Sequence, residues 1–188
     1  FEILGVTTVA GNVPLNLTQR NARLVCEICN RSDVKIYAGC DKPMEQELVT
    51  AEYVHGQSGL DGIDIYEPEH PLETTHAVDF IIDTLLAHPA GAVTVCPIGP
   101  LTNIALAMRR APEIVPKIRE IVLMGGAAIN PGNVTPVAEF NIYVDPHAAD
   151  VVFRSGVPLT MMGLDVTHQV LVTPERIETI RSCGGQTA

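Results

Sequence analysis

Residues 121–145 read IVLMGGAAINPGNVTPVAEFNIYVD, and the meaning of this stretch decides how the rest of the chain is understood. Residues 121–124 are an unbroken apolar run, the pattern of a strand buried on both faces. The run ends at Gly125-Gly126, where the missing Cβ atoms let a ligand or another backbone come close. A loop rich in Asn and Pro follows, closes on Ala138-Glu139-Phe140-Asn141 and continues to Asp145. Glu139 and Asn141 stand two apart, so in extended backbone both point to one side and set a carboxylate beside an amide. That couple accepts from and donates to neighbouring hydroxyls, which is what a vicinal diol such as a ribose requires. No Lys or Arg occurs between Arg119 and Arg154. The stretch therefore lacks the cations that hold phosphate and points to a neutral, hydroxyl-rich ligand.

Outward from this centre the chain alternates. Residues 3–9 form a short apolar run ended by Gly11-Asn12, and Leu17, Asn21, Leu24, Val25 and Ile28 then share one helical face. Residues 34–38 read as a second strand. Residues 40–72 lack a period and contain Tyr53-Val-His-Gly-Gln-Ser-Gly-Leu-Asp-Gly62, a glycine-punctuated loop of the kind that forms lids and binding segments. Residues 76–88 return to a helix and 93–97 to a strand. Ile98-Gly-Pro-Leu-Thr-Asn103 turns into a helix carrying Leu101, Ile104, Ala105 and Met108. Asp145-Pro146 and Thr173-Pro174 each offer an N-cap followed by Pro at the first helical position, with a further strand over 157–164 between them.

Alternating helices and continuous apolar strands predict an α/β fold, a mostly parallel sheet with helices on both faces, as one domain over residues 1–188. In such sheets ligands bind beyond the carboxyl ends of the strands. The residues just past those ends are Gly11-Asn12, Ile98-Gly99, Met124-Gly125-Gly126 and Asp165. Asn12, Met124, Glu139 and Asn141 are thus expected to meet around one small ligand. Asp165 either reaches that site or ties loops together, and the second is the favoured reading.

Composition removes several classes of function. The 188 residues are 46% apolar, enough for a sizeable core, and carry a net charge of −10 that disfavours nucleic acid or an anionic membrane as partner. No apolar run approaches the length of a membrane span, and no charged start precedes a signal-like core. The chain starts at Phe1 almost directly on a strand, and Cys183-Gly-Gly-Gln-Thr-Ala188 follows a helix, so the expectation is an interior piece of a longer protein. Five cysteines (26, 29, 40, 96 and 183) show no disulfide framework, and Cys26-Glu-Ile-Cys29 sits late in a helical pattern. Buried, reduced thiols and a cytoplasmic location are expected.

Seven segments together resemble the nucleoside hydrolase family, of the inosine-uridine-preferring type. They are Val9-Ala-Gly-Asn12, His55-Gly-x-Ser-Gly-Leu-Asp61, Pro97-Ile-Gly-Pro-Leu-Thr-Asn103, Val122-Leu-Met-Gly-Gly126, Gly132-Asn-Val-Thr-Pro136, Ala138-Glu-Phe-Asn141 and Gly163-Leu-Asp-Val-Thr-His168. They run through nearly the whole chain in the family's order. The resemblance implies the Rossmann-like nucleoside hydrolase fold, incomplete here at both ends. It implies hydrolysis of the N-glycosidic bond of ribonucleosides, pyrimidine or purine, to ribose and free base. It also implies a calcium ion at the pocket floor that binds the ribose and the attacking water. The family's Asp-rich motif after the first strand and its late His-Asp pair are both lacking, and would lie before Phe1 and beyond Ala188. By the resemblance, this chain retains one calcium ligand, the backbone carbonyl of Ile98. It also retains the ribose contacts Asn12, Met124, Asn133, Glu139 and Asn141, with His55 on the base side of the pocket. No catalytic residue is assigned within it. The fragment alone is expected to be inactive, and the full protein to be a dimer or tetramer.

The residue types suit that chemistry. Glycosidic cleavage develops positive charge at the anomeric carbon, which a carboxylate and amide oxygens on the sugar hydroxyls favour. Two other readings stand beside it. A non-catalytic nucleoside- or sugar-binding protein on the same scaffold is separated from an enzyme only by carboxylates outside this sequence. A dinucleotide-dependent dehydrogenase is disfavoured, because no G-x-G-x-x-G follows the first strand.

Overall fold

Strands and helices alternate through residues 2–184, the part of the chain that the computed structural model describes. In chain order they are β1 (Val6–Thr8), α1 (Leu15–Ile28), β2 (Ile36–Ala38), α2 (Glu52–His55), β3 (Leu72–Glu73), α3 (Ala77–Ala87), β4 (Val93–Val95) and α4 (Thr102–Arg110). A 3-10 helix (Pro112–Lys117) leads into β5 (Ile118–Met124), followed by α5 (Phe140–Val144), α6 (Pro146–Phe153), β6 (Leu159–Met162), α7 (Leu164–Thr167) and α8 (Pro174–Ser182). Phe1 and residues 185–188, on which the expectation about the chain's ends partly leaned, lie outside the described residues.

Strand pairing is parallel throughout the described residues, as the apolar strands predict. The strands fall into two three-stranded groups, β1-β2-β3 and β4-β5-β6. Side-chain hydrogen bonds bridge the groups. Asn103, at the start of α4, donates through Nδ2 to the Thr8 carbonyl (2.9 Å) and accepts through Oδ1 from the Cys40 N–H (2.9 Å). Residue 39 has to be glycine for this, because a Cβ there would lie 2.3 Å from the Asn103 oxygen. One amide thus locks the carboxyl ends of β1 and β2 to the loop that follows β4.

The main core lies between β4–β6 and the helices α3, α4 and α6. Ile121 and Leu123 of β5 are buried against Leu101, Ile104, Met108, Ile114 and Val152. Ala105, Ala107, Ala148 and Ala149 are also buried, and their size lets α4 and α6 approach closely. Both Pro-marked helix starts are capped as their sequences predict. Asp145 accepts from the Ala148 N–H, and Thr173 accepts from the Arg176 N–H.

A second, smaller cluster lies apart from this core. Ala51, Phe140 and Val144 are buried together, with Leu48 and Val134 packed against them. These residues come from the segment expected to be a loop and from the central stretch, so a small apolar contact draws the two together. Two expectations are corrected here. Residues 52–55 are helical rather than loop, and of the five free cysteines Cys40 alone is buried, while Cys29, Cys96 and Cys183 are exposed. Cys29 caps the end of α1, where the helix leaves the core, and this is why it faces water.

Candidate functional site

Glu139 is the N-cap of α5. Its Oε2 accepts from the N–H groups of Asn141 (2.9 Å), Gly126 (2.9 Å) and Ile142 (3.4 Å). This corrects the extended geometry expected for residues 139–141. The two residues are adjacent because a helix begins between them, and the carboxylate binds the backbone of Asn141 rather than standing beside its side chain. A helix start leaves several N–H groups without intrahelical partners, and a carboxylate satisfies them well. Glu139 also reaches across to Gly126, so the end of β5 and the start of α5 share one carboxylate oxygen. The residue is only 3% exposed.

Asn141 is buried as well, and its side-chain nitrogen faces three acceptors. It donates to the Met124 carbonyl (3.0 Å) and lies 3.4 Å from both the Ile98 carbonyl and the Met124 sulfur. Its orientation follows from this network, since the opposite flip would set an oxygen against two carbonyl oxygens. Met124 is placed by its own N–H, which donates to the Pro97 carbonyl (2.9 Å) and carries the β4–β5 pairing one step further. The carboxyl ends of β4 and β5 and the start of α5 therefore converge on Ile98, Met124, Glu139 and Asn141. Glu139 Oε1 and Asn141 Oδ1 have no hydrogen-bond partner among the described residues, and neither is closed off from solvent. Two acceptors on one short helical turn are left open at the mouth of the strands.

The other expected site residues are not bonded to this group among the described residues. Asn12 is exposed, and its carbonyl accepts from the Ala51 N–H (2.8 Å), which fixes the chain after β1 to the small cluster beneath α5. His55 ends α2, exposed, one turn after Ala51. The loop after it is held on α1 by Asn21, whose Nδ2 donates to the Ser58 carbonyl (2.8 Å). Asn133 is exposed, next to the cluster residue Val134, and its N–H donates to the Ala138 carbonyl (3.1 Å). The side chains of Asn12, His55 and Asn133 make no hydrogen bond to the Glu139–Asn141 group among the described residues.

Beneath the mouth lies a fully buried carboxylate. Asp145 Oδ2 accepts from the Thr102 hydroxyl (2.6 Å) and the Met44 N–H (3.0 Å), while Oδ1 accepts from Ala148 (3.0 Å). Asp145 follows Asn141 by four residues and Thr102 follows Ile98 by four, so the same two segments are tied once at the mouth and again in the core. Across the mouth, Asp165 accepts from the N–H groups of Ala128 (2.7 Å), Ile129 (2.9 Å) and Asn130 (2.8 Å). Those three backbone donors, Ala128 foremost, hold its carboxyl well below the ordinary range, at about 2. Asp165 thus ties the loop after β5 rather than pointing a free carboxylate into the site.

Among the described residues no group of three or more His, Cys, Asp or Glu side chains is placed to hold a metal ion. A family model described as inosine-uridine preferring nucleoside hydrolase matches residues 1–188. The chain belongs to this family.

Relatives within and near the nucleoside hydrolase family agree with that placement. The chain is 52% identical over 186 residues to the pyrimidine-specific ribonucleoside hydrolase RihB of Escherichia coli, covering 98% of this chain and 58% of that protein. It is also 52% identical over 177 residues to an uncharacterised protein of Schizosaccharomyces pombe, covering 94% of this chain and 57% of that one. Among solved structures, a purine-preferring ribonucleoside hydrolase from Gardnerella vaginalis superposes with a TM-score of 0.91 at 39% identity, over 96% of this chain and 58% of that one. The parallel strands flanked by helices are thus the α/β fold of nucleoside hydrolases. The chain spans less than two thirds of the length of these relatives.

Sequence reasoning missed the bond from Thr102 to Asp145 and the reach of Glu139 to Gly126. The first reads as an ordinary residue of a helix start. The second depends on a helical turn that the local residues do not announce.

Proposed function

We propose that the protein containing this chain hydrolyses the N-glycosidic bond of ribonucleosides, with Glu139 and Asn141 gripping the ribose hydroxyls. The observation that supports it most is the pair of acceptors without a partner among the described residues, Glu139 Oε1 and Asn141 Oδ1, beside Glu139 Oε2 and Asn141 Nδ2, which are both hydrogen-bonded. Sugar hydroxyls are donors and would supply the partners that these acceptors lack. The stretch around them carries no Lys or Arg from residue 120 to 153, which suits a nucleoside better than a nucleotide. A carboxylate at Glu139 suits the positive charge that develops at the anomeric carbon. Asn12, Met124 and Asn133 complete the sugar contacts in this reading, and His55 faces the base. RihB is a pyrimidine-specific ribonucleoside hydrolase and the Gardnerella vaginalis enzyme a purine-preferring one. The reading covers both classes of base.

Calcium belongs to the same proposal. The Ile98 carbonyl is a hard oxygen donor whose one hydrogen bond, at 3.4 Å, is long, so it retains capacity for a cation. Calcium takes six to eight oxygen ligands, so the carboxylates must come from elsewhere in the full protein. When bound, such an ion lowers the pKa of a coordinated water. What this chain supplies is one ligand and a rigid frame for it, since Asn141 and the Thr102–Asp145 bond fix the loop that carries Ile98. The chain by itself is accordingly inactive in this reading. Unpaired thiols fit a reducing compartment, the cytoplasm, and a dimer or tetramer is expected of the whole protein.

The test is base release from inosine, uridine and cytidine by the full-length protein, with and without a chelator, beside residues 1–188 alone. Turnover by the full-length protein that the chelator abolishes bears out the reading. No turnover of any of the three refutes it, and turnover by residues 1–188 alone refutes the division of the site.

A further inference from the structure

The loop joining β5 to α5 covers residues 125–139, and its ends are already in the site as Met124 and Glu139. Its inner arm folds on itself. The N–H of Gly132 donates to the Pro136 carbonyl (3.1 Å), and those of Asn133 and Val134 to the Ala138 carbonyl (both 3.1 Å). The Thr135 hydroxyl accepts from Ala138 (2.9 Å), and Val134 packs on the small cluster. The outer arm has no such support from its own side chains: Ile129 is 93% exposed. What holds it is the turn after β6. Gly163 carries no Cβ, which would lie 2.6 Å from the Gly126 carbonyl oxygen, and so lets the two segments meet. Leu164, buried, donates its N–H to that same carbonyl (2.9 Å), and Asp165 accepts from the N–H groups of Ala128, Ile129 and Asn130. The Gly126 peptide unit region is therefore gripped from both sides, by Leu164 on its C=O and by Glu139 Oε2 on its N–H.

We propose that Asp165 is a positioning residue for the sugar grip: by binding residues 128–130 it sets the path of the loop that fixes Glu139 at one end and carries Asn133 in the middle. This rests on the functional reading above and adds to it a residue that touches no substrate. Its backbone is itself secured, since Gln169 Nε2 donates to the Asp165 carbonyl (2.6 Å), so the clamp is anchored in α7 rather than floating with the loop. A carboxylate suits the role because it is acceptor-only and spans several donors, with Oδ2 on Ala128 and Oδ1 on both Ile129 and Asn130. An Asn in its place keeps the oxygen for Ile129 and Asn130 but turns an NH2 toward the Ala128 N–H, donor against donor.

The test uses full-length Asp165→Ala and Asp165→Asn proteins, with steady-state kinetics on a nucleoside and amide hydrogen exchange. In Asp165→Ala the KM rises about tenfold, the scale of lost charge-assisted hydrogen bonds, while kcat falls less. Asp165→Asn lies between it and the parent, and exchange quickens at residues 128–130 in the same order. If Asp165→Ala fails to fold, the ranking of Asp165→Asn against the parent carries the test. An unchanged KM in either folded variant overturns the proposal, as does a raised KM without faster exchange at residues 128–130. A parent protein that releases no base refutes the functional reading instead, and that outcome is visible before any variant is made.

Discussion

The side-chain nitrogen of Asn141 and the carbonyl oxygen of Ile98 lie 3.4 Å apart, joining the first turn of α5 to the loop after β4 across 43 residues of chain. The shorter bond of the same nitrogen, 3.0 Å to Met124, sets its direction. The Ile98 oxygen is thereby oriented without being consumed. Asn141→Asp reverses this, placing a negative oxygen against two carbonyls. That variant should lose about a hundredfold or more in kcat/KM, because a buried polar network is broken at the reacting end. Asn141→Ala should lose less in folding stability, which thermal unfolding of the two proteins side by side will show.

The Thr102–Asp145 bond repeats that tie four residues deeper. At 2.6 Å between a hydroxyl and a fully buried carboxylate, it is short and charge-assisted. Thr102→Val keeps the shape and removes the donor, leaving Asp145 with Met44 and Ala148 alone. The expected loss is about 1–3 kcal/mol of unfolding free energy, with Thr102→Ser close to the parent. Urea titrations of the three proteins give the comparison directly.

Acid should act on Asp165 in a defined window. Its three N–H partners lower its carboxyl from an ordinary 3.8 to about 2 in the folded chain. A depressed folded value means that the unfolded chain takes up the proton first. The stabilisation is therefore complete above about pH 4 and disappears as pH falls through about 2. The difference in unfolding midpoint between the parent and Asp165→Asn should stay constant from pH 7 down to about 4 and shrink below that. A difference that changes between pH 5 and 7 would assign the effect to another group.

Much of this architecture was legible because its signals are local. The alternation of apolar runs with helical faces pointed to the parallel fold, and the Asp-Pro and Thr-Pro pairs to the starts of α6 and α8. The turn at residues 140–144 was hidden because Phe140, Ile142, Tyr143 and Val144 are all strand-favouring types. Contacts distant in sequence, the burial of Phe140 and Val144 with Ala51 and the Gln46 amide on the Tyr143 and Val144 carbonyls, join the capping carboxylate in holding them as a helix. β3, two residues long, and α2, four residues long, fall below any periodic signal. The contact between Glu139 and Gly126 spans 13 residues and depends on how a loop closes, which residue spacing does not encode. Strand ends and residue types pointed to Asn12, Met124, Glu139 and Asn141, and the resemblance to a family added roles for Ile98, Asn133 and His55, whereas their bonding came from the fold.

Thiol chemistry separates the buried cysteine from the rest. Burial, with Asp41 and Asp145 nearby, pushes the Cys40 thiol up to about 11. Cys29, Cys96 and Cys183 are exposed. Maleimide at neutral pH should modify those three first and reach Cys40 only on unfolding, since the thiolate is the reactive form. Mass mapping of the modified peptides checks the order, and early labelling of Cys40 would contradict the packing around Asn103 and Gly39.

The most direct test of the whole account is nucleoside hydrolysis by full-length Glu139→Gln. Glutamine retains an oxygen for Gly126 and Asn141, so the fold and melting temperature should hold while the negative charge beside the sugar is lost. The account predicts a fall in kcat/KM for uridine or inosine of about a hundredfold or more, the scale of removing one transition-state contact. A folded Glu139→Gln protein within about threefold of the parent would contradict it.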